Sequence, residues 1–301
     1  MVQAHLRSSG VRVPESQVRA SLERVDPVGV AGRWSQHRCV LRRVYSVPYP
    51  NAVWHIDSNL RLVRWGFVVH GAIDGFSRLI VYLHCSLNNQ AQTVAHHFLT
   101  AGATYGFPSR VRSDLGGENI DVAHFMLLLR GLNRGSHITG RSINNQRVER
   151  LWRDVFTNCL SFFYGLFYHL EDAGVVDLNN PLHLCALQYV YQPRIEQSLQ
   201  SFQDTWNQHP LSSAGSSTPL QLWTTGLLLN AGSDHAAIRE LLESPLVLQN
   251  DSPDEGDSGA DSDRSDSESV TRHELSHIDP LANSPCYGVD LYAQALQTLL
   301  S

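Results

Sequence analysis

The chain has 301 residues, of which 42% are hydrophobic and 17% charged, so it is long enough to bury the core of one large or two ordinary domains. No run approaches eighteen apolar residues, and the five cysteines are scattered without a Cys-x-x-Cys pair, which argues against a membrane span, a disulfide scaffold and a zinc knuckle. The formal net charge of −6 is concentrated in residues 251–269, where eight acids face one arginine; all 23 cationic residues of the chain are arginines, whose planar fork suits phosphate.

The first predicted element is a basic helix. Residues 1–48 hold eight arginines against three acids. Pro14 favours a helix start, apolar residues follow at helical spacing, and Asp26-Pro27 ends the pattern. We interpret residues 1–48 as a partial basic helical DNA-binding region. On this interpretation the chain begins inside a longer DNA-binding unit.

The next predicted elements are strands. Runs rich in β-branched and aromatic residues at 53–57, 67–74 and 78–83 are separated by Asn59-Leu60 and by the turn pair Asp74-Gly75, which predicts an antiparallel meander. Helices and short strands then alternate. The sequence therefore predicts an α/β fold with a mixed five-stranded sheet and flanking helices. The alternating elements are a helix near 90–105, a strand ending at Asp114, a helix near 118–130, a strand around His137-Ile138 and a long helix from about 144.

The remaining sequence predicts a helical C-terminal extension followed by a segment of different composition. Residues 250–275 are rich in Asp, Ser, Glu and Gly and nearly lack apolar side chains, which is typical of disorder. We divide the chain into the basic region 1–48, a main domain 49–230 with its helical extension, a short helix 231–249, the acidic segment 250–275 and an amphipathic tail 276–301.

Three carboxylates stand at unusual positions. Asp57 ends a strand that is otherwise fit for burial, and a carboxylate there is costly unless it is paired or binds a metal. Asp114 ends a strand before Gly116-Gly117, and Glu149 flanks the apolar stripe of the long helix. Convergence of three such groups would suit Mg²⁺ or Mn²⁺, which prefer oxygen ligands.

Four ordered segments carry a family resemblance: residues 50–57 (PNAVWHID), 71–78 (GAIDGFSR), 112–119 (RSDLGGEN) and 144–153 (NNQRVERLWR). Together they resemble the catalytic core of retroviral-type integrases and DDE transposases, an RNase H-like fold. They are most similar to integrase-core proteins encoded by transposable elements of animal and fungal genomes. The resemblance spans roughly residues 10–230, and thirty-four residues separate Asp114 from Glu149, one fewer than the family's usual spacing.

The resemblance implies that Asp57, Asp114 and Glu149 are the catalytic, metal-binding triad and that two Mg²⁺ or Mn²⁺ ions occupy each active site. The implied reaction is metal-dependent cleavage and strand transfer of DNA phosphodiesters. It implies DNA as the partner, a homo-oligomer because two DNA ends need two sites, no small-molecule cofactor, no membrane, and a nuclear location that follows from the substrate, with a cytoplasmic one otherwise. Six arginines lie at 130–153; those expected to bind DNA are Arg141, Arg147, Arg150 and Arg153.

The sequence departs from the family at several positions. Ser58 stands where the family has Gly and Asn59-Leu60 replaces a more basic pair, which alters the turn beside the metal site without deleting a ligand, and no His/His/Cys/Cys cluster precedes the core. The missing upstream region and the acidic segment favour a second hypothesis, which the intact triad opposes. The alternative is a domesticated, non-catalytic nucleic-acid-binding or scaffold protein that keeps the integrase fold. A third reading is a structure-specific nuclease that uses water throughout.

Each candidate residue also has an ordinary structural interpretation. Glu149 could pair with Arg153 one helical turn on. Asp74 is interpreted as a turn residue and Glu118 as a helix N-terminal charge, so both are left out of the metal site. We expect His55 to be a packed strand residue, and the pair His96-His97 not to bind zinc.

Overall fold

The computed structural model describes residues 2–29, 46–140, 146–233, 235, 237 and 274–301. Residues 250–273 of the predicted acidic segment and most of the predicted short helix 231–249 lie outside these residues, as does Arg141. The last residue assigned to the acidic segment, Leu275, is fully buried, so that segment was drawn too long at its C-terminal end. No helix in the described ranges combines the length and the apolar content that crossing a bilayer requires.

The predicted mixed sheet is confirmed, with five strands in the spatial order β3-β2-β1-β4-β5. β1 pairs antiparallel with β2, and β2 with β3, as the meander predicts. β4 lies parallel to β1, and β5 parallel to β4. The strands are β1 (Trp54–Asn59), β2 (Val68–Asp74), β3 (Ile80–Ser86), β4 (Val111–Ser113) and β5 (His137–Thr139).

Helices cover both faces of the sheet, so β2 and most of β1 and β3 are buried on both sides. One hydrophobic cluster joins the sheet to α5, α6, α7 and α9, and the other joins it to α3, α4 and α8. A π-helical turn, 156–160, links α5 to α6. These helices are α3 (Ala91–Tyr105), α4 (Ile120–Arg130), α5 (Gln146–Val155), α6 (Ser161–Asp172), α7 (Pro181–Asn207), α8 (Pro219–Leu229) and α9 (Val289–Leu300).

Polar side chains of α7 satisfy the open edge of the sheet. Gln192 donates to the Cys85 carbonyl at 3.2 Å, and Glu196 accepts from the Cys85 amide at 2.7 Å. Asn207 bonds both backbone groups of Ile80, at 2.9 and 3.1 Å. Since β3 is an edge strand, these contacts occupy backbone groups of Cys85 and Ile80 that could otherwise bond another strand.

Within residues 2–25 the basic N-terminal region forms the helices α1 (Val2–Ser8) and α2 (Glu15–Val25). The predicted limits of α2 are confirmed, because Pro14 precedes it and Asp26 follows it. The sequence pattern had indicated only one convincing helix. α1 was missed because it is a seven-residue element whose Ala4 is buried, with His5 beside Thr205 of α7.

The amphipathic tail is part of the main core. Leu275, Ile278, Tyr292 and Ala295 are buried in the same cluster as the sheet and α7. The Tyr292 hydroxyl donates to the Val175 carbonyl at 3.1 Å. The apolar residues that predicted an amphipathic helix therefore lie against α7.

Candidate active site

Two of the predicted carboxylates follow paired residues of neighbouring parallel strands. The register of β1 and β4 pairs Trp54 with Val111 and His55 with Arg112. Asp57 lies two residues after His55, and Asp114 lies two residues after Arg112, so the two aspartates occupy equivalent positions. β1 continues to Asn59, so the prediction that Asp57 ends its strand was wrong. The strand that ends at the site is instead β4, whose last residue immediately precedes Asp114. β1 therefore extends beyond the end of β4 at Asp57.

Asp114 is held by the turn that follows it. Its Oδ1 accepts bonds from the Gly116 amide and from the Asn119 side chain, both at 3.2 Å. The glycine turn that follows β4 therefore supplies one of the two donors that orient this carboxylate.

Asp57 is a largely buried carboxylate with two hydrogen bonds. The indole Nε1–H of Trp152 donates to Oδ2 at 2.9 Å, and the Ser58 amide donates to Oδ1 at 2.9 Å. Desolvation raises the pKa of Asp57 from 3.8 to about 6, the two hydrogen bonds oppose the rise, and the charges of Asp114 and Glu149 add to it. Asp114 and Glu149 are thus each within electrostatic range of Asp57.

Trp152 reaches Asp57 only because Gly71 has no side chain. Gly71 lies opposite Asp57 on β2, and a Cβ there would lie 2.7 Å from the Trp152 ring. Nothing in the local sequence around Asp57 predicted this contact. A glycine in the middle of the buried β2 run was the available signal, since such a residue marks close approach of another group.

Glu149 lies on α5, three residues before Trp152, and its side chain is exposed. α5 buries Val148 and Trp152, so Glu149 borders the buried side of the helix while its own carboxylate is exposed. Both residues of the alternative Glu149–Arg153 pair are described, and no ion pair joins them. Within the described residues, no three acidic, histidine or cysteine side chains converge closely enough to hold a metal ion.

Arginines line the exposed side of α5. Arg150 and Arg153 are exposed, and Arg147 is partly buried. Burial raises the pKa of Asp154, and the charges of Arg150 and Arg153 oppose that rise. Beyond β1, the exposed guanidinium of Arg61 lies 5.4 Å from the centre of the Phe156 ring, one helical turn after Trp152. Arg61 was not among the predicted DNA-binding residues.

The two rival carboxylates have structural roles. Asp74 is fully buried and accepts bonds from the Asn51 and Phe76 amides and from both donor groups of Ser77, at 2.7 to 3.1 Å. It therefore fixes the β2–β3 turn, as interpreted from the sequence, although burial raises its pKa to about 6. Glu118 lies in the single turn that precedes α4.

Histidines of β2, β3 and α3 form a cluster that the sequence did not predict. His97 of α3 stacks on His84 of β3 with ring centres 4.7 Å apart, and His84 Nδ1 lies 2.5 Å from Glu196 of α7. His70 also belongs to the cluster, 5.6 Å from the His97 ring. Desolvation, with the nearby His84, lowers the pKa of His97 to about 4. His55 is fully buried, as expected for a packed strand residue.

A family model described as "Integrase core domain" matches residues 44–237. Among solved structures, the HTLV-2 integrase catalytic core domain in complex with magnesium is similar, in its trimeric form at 19% identity and TM-score 0.38 and in its dimeric form at 18% and 0.37; each match covers 58% of this chain and 97% of that one. A simian T-cell lymphotropic virus intasome in complex with PP2A regulatory subunit B56 gamma matches at 17% identity and TM-score 0.41, over 62% of this chain and 59% of that one. Among curated proteins, none matches the sequence.

Proposed function

Because the chain belongs to the integrase core domain family and has its RNase H-like sheet, we propose that it cleaves and joins DNA phosphodiesters with the help of divalent metal ions. The observation that carries the proposal is the position of Asp57. Its carboxylate is desolvated, and the charges of Asp114 and Glu149 act on it from a neighbouring strand and from the covering helix. Mutual repulsion between three carboxylates is costly in a fold unless a cation balances it.

The donor set fits Mg²⁺ or Mn²⁺. Asp57, Asp114 and Glu149 offer carboxylate oxygens only, and these hard anionic ligands are the ones that such ions prefer. A pair of bound ions would supply Lewis-acid stabilisation of the attacking and leaving oxygens of a phosphodiester. The chain itself contributes orientation: Trp152 and Ser58 fix Asp57, and Gly116 and Asn119 fix Asp114.

The arginines of α5 supply the proposed contact with DNA. Arg150 and Arg153 expose their guanidiniums beside Glu149, and Arg147 and Arg141 extend the same basic stretch of sequence. Bidentate contacts from such groups to phosphate oxygens would hold the strand without reading its sequence. Joining two DNA ends requires two sites, so we place the activity in a homo-oligomer that works in the nucleus, where its substrate is.

The test is a strand-transfer and 3′-nicking assay of the purified full chain on labelled duplex DNA, with Mg²⁺ or Mn²⁺. We expect products from the unmodified chain, none after chelation, and a loss of activity in each of Asp57→Asn, Asp114→Asn and Glu149→Gln. Asp74→Asn, at the turn, is the matched carboxylate control. The amide oxygen of the asparagine can still accept some of the hydrogen bonds that Asp74 accepts in the turn, so each folded molecule should remain active. Full activity in all three triad variants would overturn the site, and nicking without joining would favour the nuclease reading.

One observation favours the scaffold as a second candidate. Glu149 is exposed, and the described side chains do not converge on one metal position. A scaffold would bind DNA without binding Mg²⁺ or Mn²⁺ at millimolar concentration, whereas the enzyme would bind both. Calorimetry of the full chain with each ion separates the two functions.

A salt-dependence experiment tests the DNA-facing side, and Arg61 and Arg64 form a matched pair for it. Both are exposed, but Arg64 is paired through Nε with Glu171 at 3.0 Å, whereas Arg61 lies over Phe156. Because a paired guanidinium releases fewer DNA counterions, we expect Arg61→Gln to weaken DNA binding several-fold and to reduce the salt slope by about 1. Arg64→Gln should change the slope much less.

The measurement is fluorescence anisotropy of a labelled duplex at a series of salt concentrations in EDTA, which removes any contribution from the metal site. An equal loss in the two variants would mean that Arg61 acts only through the net charge of the protein.

A further inference from the structure

We propose that Trp152 is a positioning residue for the metal-binding carboxylates, acting through its indole N–H on Oδ2 of Asp57. The inference rests on the proposed function and goes beyond it, because it assigns a role to a side chain that is not a metal ligand. The bond is 2.9 Å long and joins α5 to the central strand β1. An aromatic ring without a donor would fill the same space and leave this oxygen without its partner.

The surroundings of Trp152 are built to bring its N–H to Asp57. Trp152 is buried, with 7% of its surface exposed, and its ring lies against Gly71, the β2 residue opposite Asp57. Any larger residue at 71 would push the ring away, because even a Cβ would lie 2.7 Å from it. A helix residue, a strand carboxylate and a glycine on the adjacent strand thus meet at one point.

Trp152 also sets the position of Glu149 relative to Asp57. The two helix residues are three positions apart, so they lie on adjacent turns of the same side of α5. Fastening Trp152 to β1 therefore fixes the helix that carries Glu149 at the same time as it orients Asp57. Groups that orient a metal ligand in this way commonly change metal affinity or activity by about 10-fold to 100-fold when they are removed.

The experiment compares Trp152→Phe with Trp206→Phe in the full chain. Trp206 is the matched control, because its indole N–H also donates a 2.9 Å bond, to the Arg78 carbonyl at the far edge of the sheet. Mn²⁺ binding is measured by calorimetry, and kcat and KM for DNA by strand transfer. We expect Trp152→Phe to raise the Kd for Mn²⁺ about tenfold and to lower kcat with little change in KM. Trp206→Phe should change each value less than twofold.

Equal effects of the two variants, or an unchanged Mn²⁺ Kd in Trp152→Phe, would overturn the role of Trp152 and leave the proposed function standing. Absence of Mn²⁺ binding to the unmodified chain would overturn both. A second measurement needs no Trp152 variant. It follows the indole N–H signals of the six tryptophans in the NMR spectrum of the ¹⁵N-labelled chain. One signal should move on Mg²⁺ addition and the same signal should move in Asp57→Asn, whereas no responding signal would contradict the contact.

Discussion

Asp57→Asn is expected to abolish strand transfer and, at neutral pH without metal, to make the protein more stable. The pKa of Asp57 in the folded chain is about 6, against an ordinary value of 3.8. Ionising this side chain in the fold therefore costs up to about 3 kcal/mol relative to the unfolded chain. An asparagine carries no charge and retains one of the two acceptors, so the net gain should be about 1 to 2 kcal/mol. Activity should fall at least about a thousandfold, which corresponds to about 4 kcal/mol of lost transition-state stabilisation.

The pH dependence of this gain has a definite sign. The folded pKa is raised, so the penalty in the unmodified chain is absent below pH 3.8, grows as the pH rises toward 6 and is complete above it. Urea unfolding in EDTA should give the variant a higher free energy of unfolding than the unmodified chain at pH 7.5 and an equal one near pH 4. Adding Mg²⁺ at pH 7.5 should stabilise the unmodified chain only. A variant that is less stable at pH 7.5 would contradict the account of desolvation and repulsion.

Tyr292→Ala is expected to lower the free energy of unfolding by about 3 to 5 kcal/mol, more than any other substitution proposed for this chain. Tyr292 is 1% exposed, it lies in the main hydrophobic cluster, and its hydroxyl bonds the Val175 carbonyl and His183. The substitution leaves a cavity between α9 and the core and removes the hydroxyl that bonds the Val175 carbonyl. The measurement is the free energy of unfolding from urea titration of the full chain.

Two further variants make this result specific. Leu300→Ala, on the same helix but 60% exposed, should change stability by less than about 0.5 kcal/mol. Tyr292→Phe, which keeps the ring, should lose about 1 to 2 kcal/mol. A Tyr292→Ala chain as stable as the unmodified one would mean that the C-terminal helix does not stabilise the core.

The role of Tyr292 also bears on where the folded unit ends. The family match stops at residue 237, yet residues 274–301 supply Leu275 and Ile278 to the same core. The Tyr189 hydroxyl and the Arg194 guanidinium of α7 bond carbonyls of this segment at 2.7 to 2.9 Å. A chain cut at the family boundary would expose that face of α7, so biochemical work requires the full chain.

The sequence by itself determined the features that depend on neighbouring residues. Runs rich in β-branched and aromatic residues and the Asp74-Gly75 turn indicated the meander, and Pro14 with Asp26 marked α2 to the residue. The motifs around Asp57, Asp114 and Glu149 identified the family. These features are encoded over a few positions of chain, where periodicity and turn chemistry act.

Only the tertiary structure decided which side chains complete the site. Trp152 is 95 residues from Asp57 in sequence, and the reason for glycine at 71 is the ring of that same tryptophan. The outward direction of Glu149 and the docking of α9 on α7 likewise depend on how helices rotate when they pack on the sheet. Spacing along the chain gives the period of a helix and its apolar side, whereas the partner across the core is set by shape and by hydrogen-bond satisfaction between distant segments.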